Sequence, residues 1–141
     1  PVILTHNMKI LLSFILTLIF WTSWGGADPQ SFAVGKLLTS LKQGQASELA
    51  SMFDENVDLL IDAEQIDFSE ISQTHAEIIL KSFFKRWPPQ DFQLVHQGAN
   101  SLSQYYRGLY KTNRGNYAVY ILLKRNQDRF LVESIQFRKE K

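Results

Sequence analysis

Three patterns of apolar spacing follow one another along the chain, and each predicts a different kind of element. The first is an uncharged, mostly apolar run from Ile10 to Trp24. The second places Phe32, Val34, Leu37, Leu38 and Leu41 at helical spacing. Asp28-Pro29 offers an N-cap and first-turn pair ahead of it and Gly44 stops it, which predicts helix one, weakened a little by Gly35. Ser47 to Phe53 predicts a second, short helix with Leu49, Met52 and Phe53 on one face, and Asp54-Glu55-Asn56 then turns the chain into a strand over Val57 to Ile61. Asp62 to Ser72 is polar and acidic apart from Ile66, Phe68 and Ile71, a pattern that suits either a loop or a short edge strand. Thr74, with Glu77 three residues on, forms a capping box for a third helix carrying Ile78, Ile79, Phe83 and Trp87, and Pro88-Pro89 ends it.

The third pattern is β-branched and aromatic, in four segments: Phe92 to Gln97, Gln104 to Lys111, Tyr117 to Arg125 and Phe130 to Arg138. Gly98-Ala99-Asn100-Ser101, Asn113-Arg114-Gly115-Asn116 and Asn126-Gln127-Asp128 separate them with turn chemistry, which predicts an antiparallel meander. The order of elements predicts an α+β fold, helices lying against one face of a curved antiparallel sheet of four to six strands. Along one strand, Tyr117, Val119, Ile121 and Leu123 face one side while Ala118, Tyr120 and Leu122 face the other. With both sides apolar, the second face also requires a cover, and a sheet-to-sheet homodimer would provide one.

This layout resembles the nuclear-transport-factor-2-like (NTF2-like) superfamily, in which a strongly bent sheet wraps a long helix to form a cone that is often hollow. A closer resemblance is to a group of small exported bacterial proteins catalogued as a domain of unknown function. It is carried by Phe53-x-x-Asn56-Val57-Asp58-Leu59, Phe83-Phe84 followed by Pro88-Pro89-x-x-Phe92, His96-x-Gly98, Tyr106-x-Gly108-x-Tyr110 and Tyr117-x-Val119-Tyr120-x-x-Leu123-Lys124. These motifs extend over nearly all of residues 28–141. The resemblance implies fold and export and brings no functional residues with it.

The apolar run itself predicts where the protein works. Residues 8–27 read as a secretory signal peptide: Lys9 as the charged start, Ile10 to Trp21 as the apolar stretch, and Gly25-Gly26-Ala27 as the small-residue exit, with cleavage between Ala27 and Asp28. As a helix, the 15 residues from Ile10 to Trp24 reach about 22 Å, short of the roughly 30 Å hydrocarbon core, so contact with a membrane is expected only through the uncleaved signal. Pro1 to Asn7, ahead of the first methionine, read as upstream translated sequence. With no cysteine, lipid attachment at a processed cysteine, disulfides and thiolate chemistry are all excluded. The expected product, residues 28–141, is a single domain in the periplasm or outside the cell.

Its net charge is zero, yet ten acidic residues face only Lys36 and Lys42 between Asp28 and Ile78, whereas twelve basic residues face four acidic ones from Ile79 onward. Early elements packed against later ones would neutralise this asymmetry across one surface; a charged face for a partner is the alternative. Export and the neutral total argue against a nucleic-acid partner.

Candidate chemistry is sparse. Asp62, His96 and Tyr106 are the side chains that could supply a base and a hydroxyl donor for proton abstraction beside a carbonyl. Tyr105, Tyr110, Tyr117 and Tyr120 lie in the same strands, where a tyrosine is more often a packing residue with a polar tip. His96, on the side of Phe92 and Leu94, reads as a core-edge histidine, and His75 as solvent-exposed. Phe83, Phe84, Trp87, Phe92, Tyr110 and Tyr120 are candidates for lining an apolar ligand pocket. No cofactor motif is present, and two histidines in residues 28–141 without cysteine give a zinc site little support. The reading is an exported, non-catalytic domain that binds a small apolar ligand in its cone or contacts an envelope protein. Its alternatives are a cofactor-free isomerase, lyase or cyclase, and a purely structural homodimer.

Overall fold

A computed structural model describes residues 29–141, with side chains from residue 34 onward, so the signal segment and its cleavage point lie outside the described residues. Helix α1 (Pro29–Gln43) buries Leu37 and Leu41 and stops where Gly44 takes a left-handed φ of 66°. A Cβ there would also sit 3.0 Å from the Pro89 ring, so this turn needs glycine for both backbone and space. Helix α2 (Ala46–Ala50) is shorter than its apolar spacing predicts. Phe53 leaves it for strand β1 (Phe53–Ile61), because the Val132 N–H donates to the Met52 carbonyl at 2.8 Å and draws the chain into the sheet.

A 3-10 turn (Asp62–Glu64) closed by left-handed Gln65 reverses the chain into β2 (Ile66–Ser72), so the acidic stretch is an edge strand. Helix α3 (Gln73–Arg86) starts directly from that strand. Its N-cap is therefore Ser72, whose hydroxyl accepts from the His75 N–H at 3.2 Å, and not Thr74 as the capping-box spacing predicts. The meander follows as β3 (Asp91–Ala99), β4 (Ser103–Thr112), β5 (Gly115–Asn126) and β6 (Arg129–Lys139).

The six strands form one curved, unclosed sheet in the order β2-β1-β6-β5-β4-β3. All pairs are antiparallel except β1 with β6, which run parallel. Helix α3 lies in the concavity with Ala76, Leu80, Phe83 and Phe84 buried against the inward residues of the strands. Close fit shows at Gly108, where the Phe92 ring lies across the backbone of the neighbouring strand.

The charge asymmetry is only partly neutralised inside the fold. Among the described residues, Lys42–Asp91 and Arg86–Glu64 join the acidic and basic halves, while Lys36–Glu48 and Lys124–Glu133 each stay within one. The exposed carboxylates Asp58, Asp67 and Glu70 of β1 and β2 form no ion pair with any described residue.

A methyl group at Gly108 would lie 2.2 Å from Phe92 Cζ and 2.9 Å from the Gln93 carbonyl oxygen. Gly108→Ala is therefore expected to destabilise the domain by about 1–3 kcal/mol, the usual cost of overpacking a core. Urea unfolding followed by circular dichroism measures it, and an unchanged midpoint would show that Phe92 can move aside freely.

Candidate functional site

Phe83 places its ring on the axis of the concavity. Its centroid lies 4.9 Å from Phe137, 5.3 Å from Tyr117, 5.8 Å from Phe84 and 5.9 Å from Tyr110, and all five side chains are buried. Among the described residues these aromatic rings pack together in the concavity of the sheet. Phe92 joins them from β3.

Trp87 closes one end of this cluster. It stands just past α3 with its backbone held on both sides, the N–H donating to the Phe83 carbonyl at 2.8 Å and the carbonyl accepting from the Tyr110 hydroxyl at 2.6 Å. Its indole Nε1 donates to Glu64 Oε1 at 2.9 Å, and Glu64 Oε2 pairs with Arg86 at 2.9 Å. The Arg114 guanidinium and the Lys139 ammonium lie over the indole at 4.4 and 4.8 Å from the ring centroid, within cation–π range. Edge-on to it at 5.4 Å is Tyr117, whose buried hydroxyl has no hydrogen-bond partner among the described residues. Leaving a buried hydroxyl unpaired costs about 1–3 kcal/mol.

Electrostatics agree with that burial. The Tyr117 phenol is pushed up to about 12, first by loss of solvent, then by the Glu64 and Asp62 carboxylates, against an opposing pull from Arg114. Burial likewise raises Tyr110, with Tyr117 adding to it, and raises Tyr106.

The three acid–base candidates are each engaged separately. Asp62 is exposed in the 3-10 turn and its two carboxylate oxygens accept from the Lys139 backbone N–H at 2.9 and 3.1 Å, tying the end of β6 to the β1–β2 turn. Tyr106 is buried and donates to Gln104 Oε1 at 3.1 Å. His96 is on the opposite side of the sheet from Phe92 and Leu94, because a bulge between Leu94 and His96 reverses the alternation and pairs His96 with Arg107. There its Nδ1 lies 3.0 Å from the Tyr105 hydroxyl, with the rings stacked at 5.6 Å, and both residues are exposed. Gly98 makes this possible, since the Tyr105 ring lies where its Cβ would be. His75 is exposed as expected and rests near Phe68.

Of the pocket candidates, Phe83, Phe84, Trp87, Phe92 and Tyr110 are brought together in the interior cluster, while Tyr120 lies on the outer face, 38 % exposed, with Arg107 over its ring. Glu64, Arg114 and Lys139 come to Trp87 from three separate segments, and no local spacing signals that meeting; Arg86, the residue before Trp87, pairs with Glu64. A groove of about 690 Å³ lies elsewhere, between the α1–α2 turn and α3, and is open to solvent; Phe84 is its one aromatic lining residue. Among the described residues no cluster of histidine and carboxylates could hold a metal ion.

A phenol whose folded-state pKa is raised contributes its stability in full below the unfolded value of 10.0 and loses it as pH rises through about 12. The domain is expected to weaken over that interval, and Tyr117→Phe to flatten the decline while costing nothing at pH 7, where it removes an unpaired hydroxyl. Urea midpoints measured from neutral to strongly alkaline pH test this; parallel curves for the two proteins would show that Tyr117 ionises without penalty.

Comparison with curated proteins finds no match. Among solved structures, a protein from Bacteroides ovatus superposes with a TM-score of 0.70 at 24 % identity, covering 75 % of this chain and 94 % of the other. One from Bacteroides fragilis gives 0.68 at 26 %, covering 74 % and 96 %. A designed NTF2-like protein gives 0.60 at 16 %, covering 78 % and 96 %. The fold is thus the cone-like α+β arrangement of the NTF2-like proteins. The family described as "Domain of unknown function (DUF4783)", to which both Bacteroides proteins belong, matches residues 34–138, and this chain is a member of it.

Proposed function

We propose that this is an exported, non-catalytic domain that works by protein contact, and that its partner is a second copy of itself, docked through the outer face of the sheet. The observation that carries this reading is one cross-strand row on that face. Asp67, Leu60, Gln136, Tyr120, Arg107 and His96 are successive neighbours across all six strands. The row carries a carboxylate at one end, Leu60, Gln136 and Tyr120 in the middle, and Arg107 beside His96 at the other. Two copies docked face to face about a two-fold axis that lies in the interface plane and crosses the row at right angles set the Asp67 end of each row against the Arg107 and His96 end of the other, with Gln136 and Tyr120 at the centre.

Two further features favour the face over other surfaces. Tyr105 and Tyr120 remain 45 % and 38 % exposed there, beside half-buried Leu122. Both edge strands are interrupted, β2 by a bulge opposite Val57 to Leu59 and β3 by the bulge at Leu94 to His96, which discourages strand addition at the edges. The packed interior supports a role played by the surface.

Native mass spectrometry and light scattering of the exported protein at micromolar concentration are expected to give a dimer. Tyr120→Glu is expected to yield a monomer with unchanged circular dichroism, and raised salt to weaken association, since the end pairs are solvent-exposed. A monomeric mass for the unaltered protein would reject the reading.

A further inference from the structure

Trp87 is held by groups that an ordinary core residue does not need. Its indole is 9 % exposed, yet its contacts at the rim are a carboxylate on the ring nitrogen and two cations over the ring. Arg114 and Lys139 are exposed, and among the described residues neither forms an ion pair. Edge-on to the indole lies Tyr117, whose buried hydroxyl has no hydrogen-bond partner among the described residues. The Trp87 backbone is held at its N–H and at its carbonyl, independently of the contacts of its indole.

We propose that this end of the cone is a binding seat for a small planar aromatic carboxylate carrying an N–H or O–H on its ring, and that the indole of Trp87 occupies that seat in the structure described. The guest's ring takes the place of the indole, against the Arg114 and Lys139 cations and edge-on to Tyr117. Its ring N–H or O–H replaces the indole N–H on Glu64, and a ring oxygen also gives the Tyr117 hydroxyl the acceptor it lacks. The carboxylate points to the rim, where Arg114 and Lys139 pair with it. That last contact is the one Trp87 cannot make, and it is what allows a free molecule to displace a tethered ring of similar shape. Glu64 remains neutralised by Arg86 throughout, so the seat keeps a net positive rim. The inference is independent of pairing through the outer face, which lies on the other side of the sheet.

The test is titration of the full chain with indole-3-acetate, indole and phenylacetate, read by isothermal calorimetry and by saturation-transfer NMR. Indole-3-acetate is expected to bind, with indole and phenylacetate each weaker by about tenfold, the scale of one charge-assisted contact. Combining Arg114→Gln with Lys139→Gln should lower the affinity for indole-3-acetate about tenfold more than that for indole, which loses only the cations over its ring, a split that general loosening of the fold would not produce. Trp87→Ala should bind both indole compounds more tightly than the unaltered protein. Failure of the unaltered protein to bind indole-3-acetate, equal affinities for it and indole, or a loss of both cations that weakens the two compounds equally or not at all would each overturn the proposal. Should Trp87→Ala not fold, the titrations of the unaltered and doubly substituted proteins decide the matter.

Discussion

The contact between the Phe83 ring and the inner wall of the sheet is the constraint on which the rest of the structure depends. A bent antiparallel sheet leaves a concavity that must be filled, and one residue of α3 reaches Phe137, Tyr117 and Tyr110 on three different strands. That single ring fixes the depth of the helix, and the depth fixes where the helix ends. Trp87 then falls at the rim, and the Pro88-Pro89 junction packs against Gly44. The C-terminal end of the helix is thereby anchored against the turn after α1, while its N-terminal end grows directly out of β2.

Much of this was legible in the residue pattern, and its limits have definite causes. Helices and meander strands followed from periodicity and turn residues, since Phe83, Leu80 and Ala76 lie on one helical stripe and Tyr117, Val119, Ile121 and Leu123 on one strand face. Departures came wherever a distant partner overruled a local preference. Phe53 left a helix because of Val132, and Ser72 displaced Thr74 as cap because the preceding strand runs straight into the helix. His96 changed sides through one inserted residue, which no alternation pattern records.

The candidate site was legible only in its aromatic part. Phe83, Phe84, Trp87, Phe92 and Tyr110 announce themselves by bulk, and the structure gathers them. The charged groups that surround Trp87 could not be found in this way, since Glu64, Arg114 and Lys139 look like ordinary surface residues until the sheet closes around the helix. Asp62 illustrates the opposite error. A carboxylate that invites a catalytic reading is spent on a backbone amide at the far end of the chain.

The parallel pairing of β1 with β6 has a consequence for how the chain becomes a domain. The last strand made is not an addition at the margin. It sits in the middle of the sheet, and without it β2 and β1 share no strand neighbour with β5, β4 and β3. Helix α3 can gather the meander early through local turns, but the acidic hairpin waits for the final segment before it has anywhere to attach. The sheet is therefore complete only once β6 is in place, and β6 acts as the keystone joining two otherwise separate pieces.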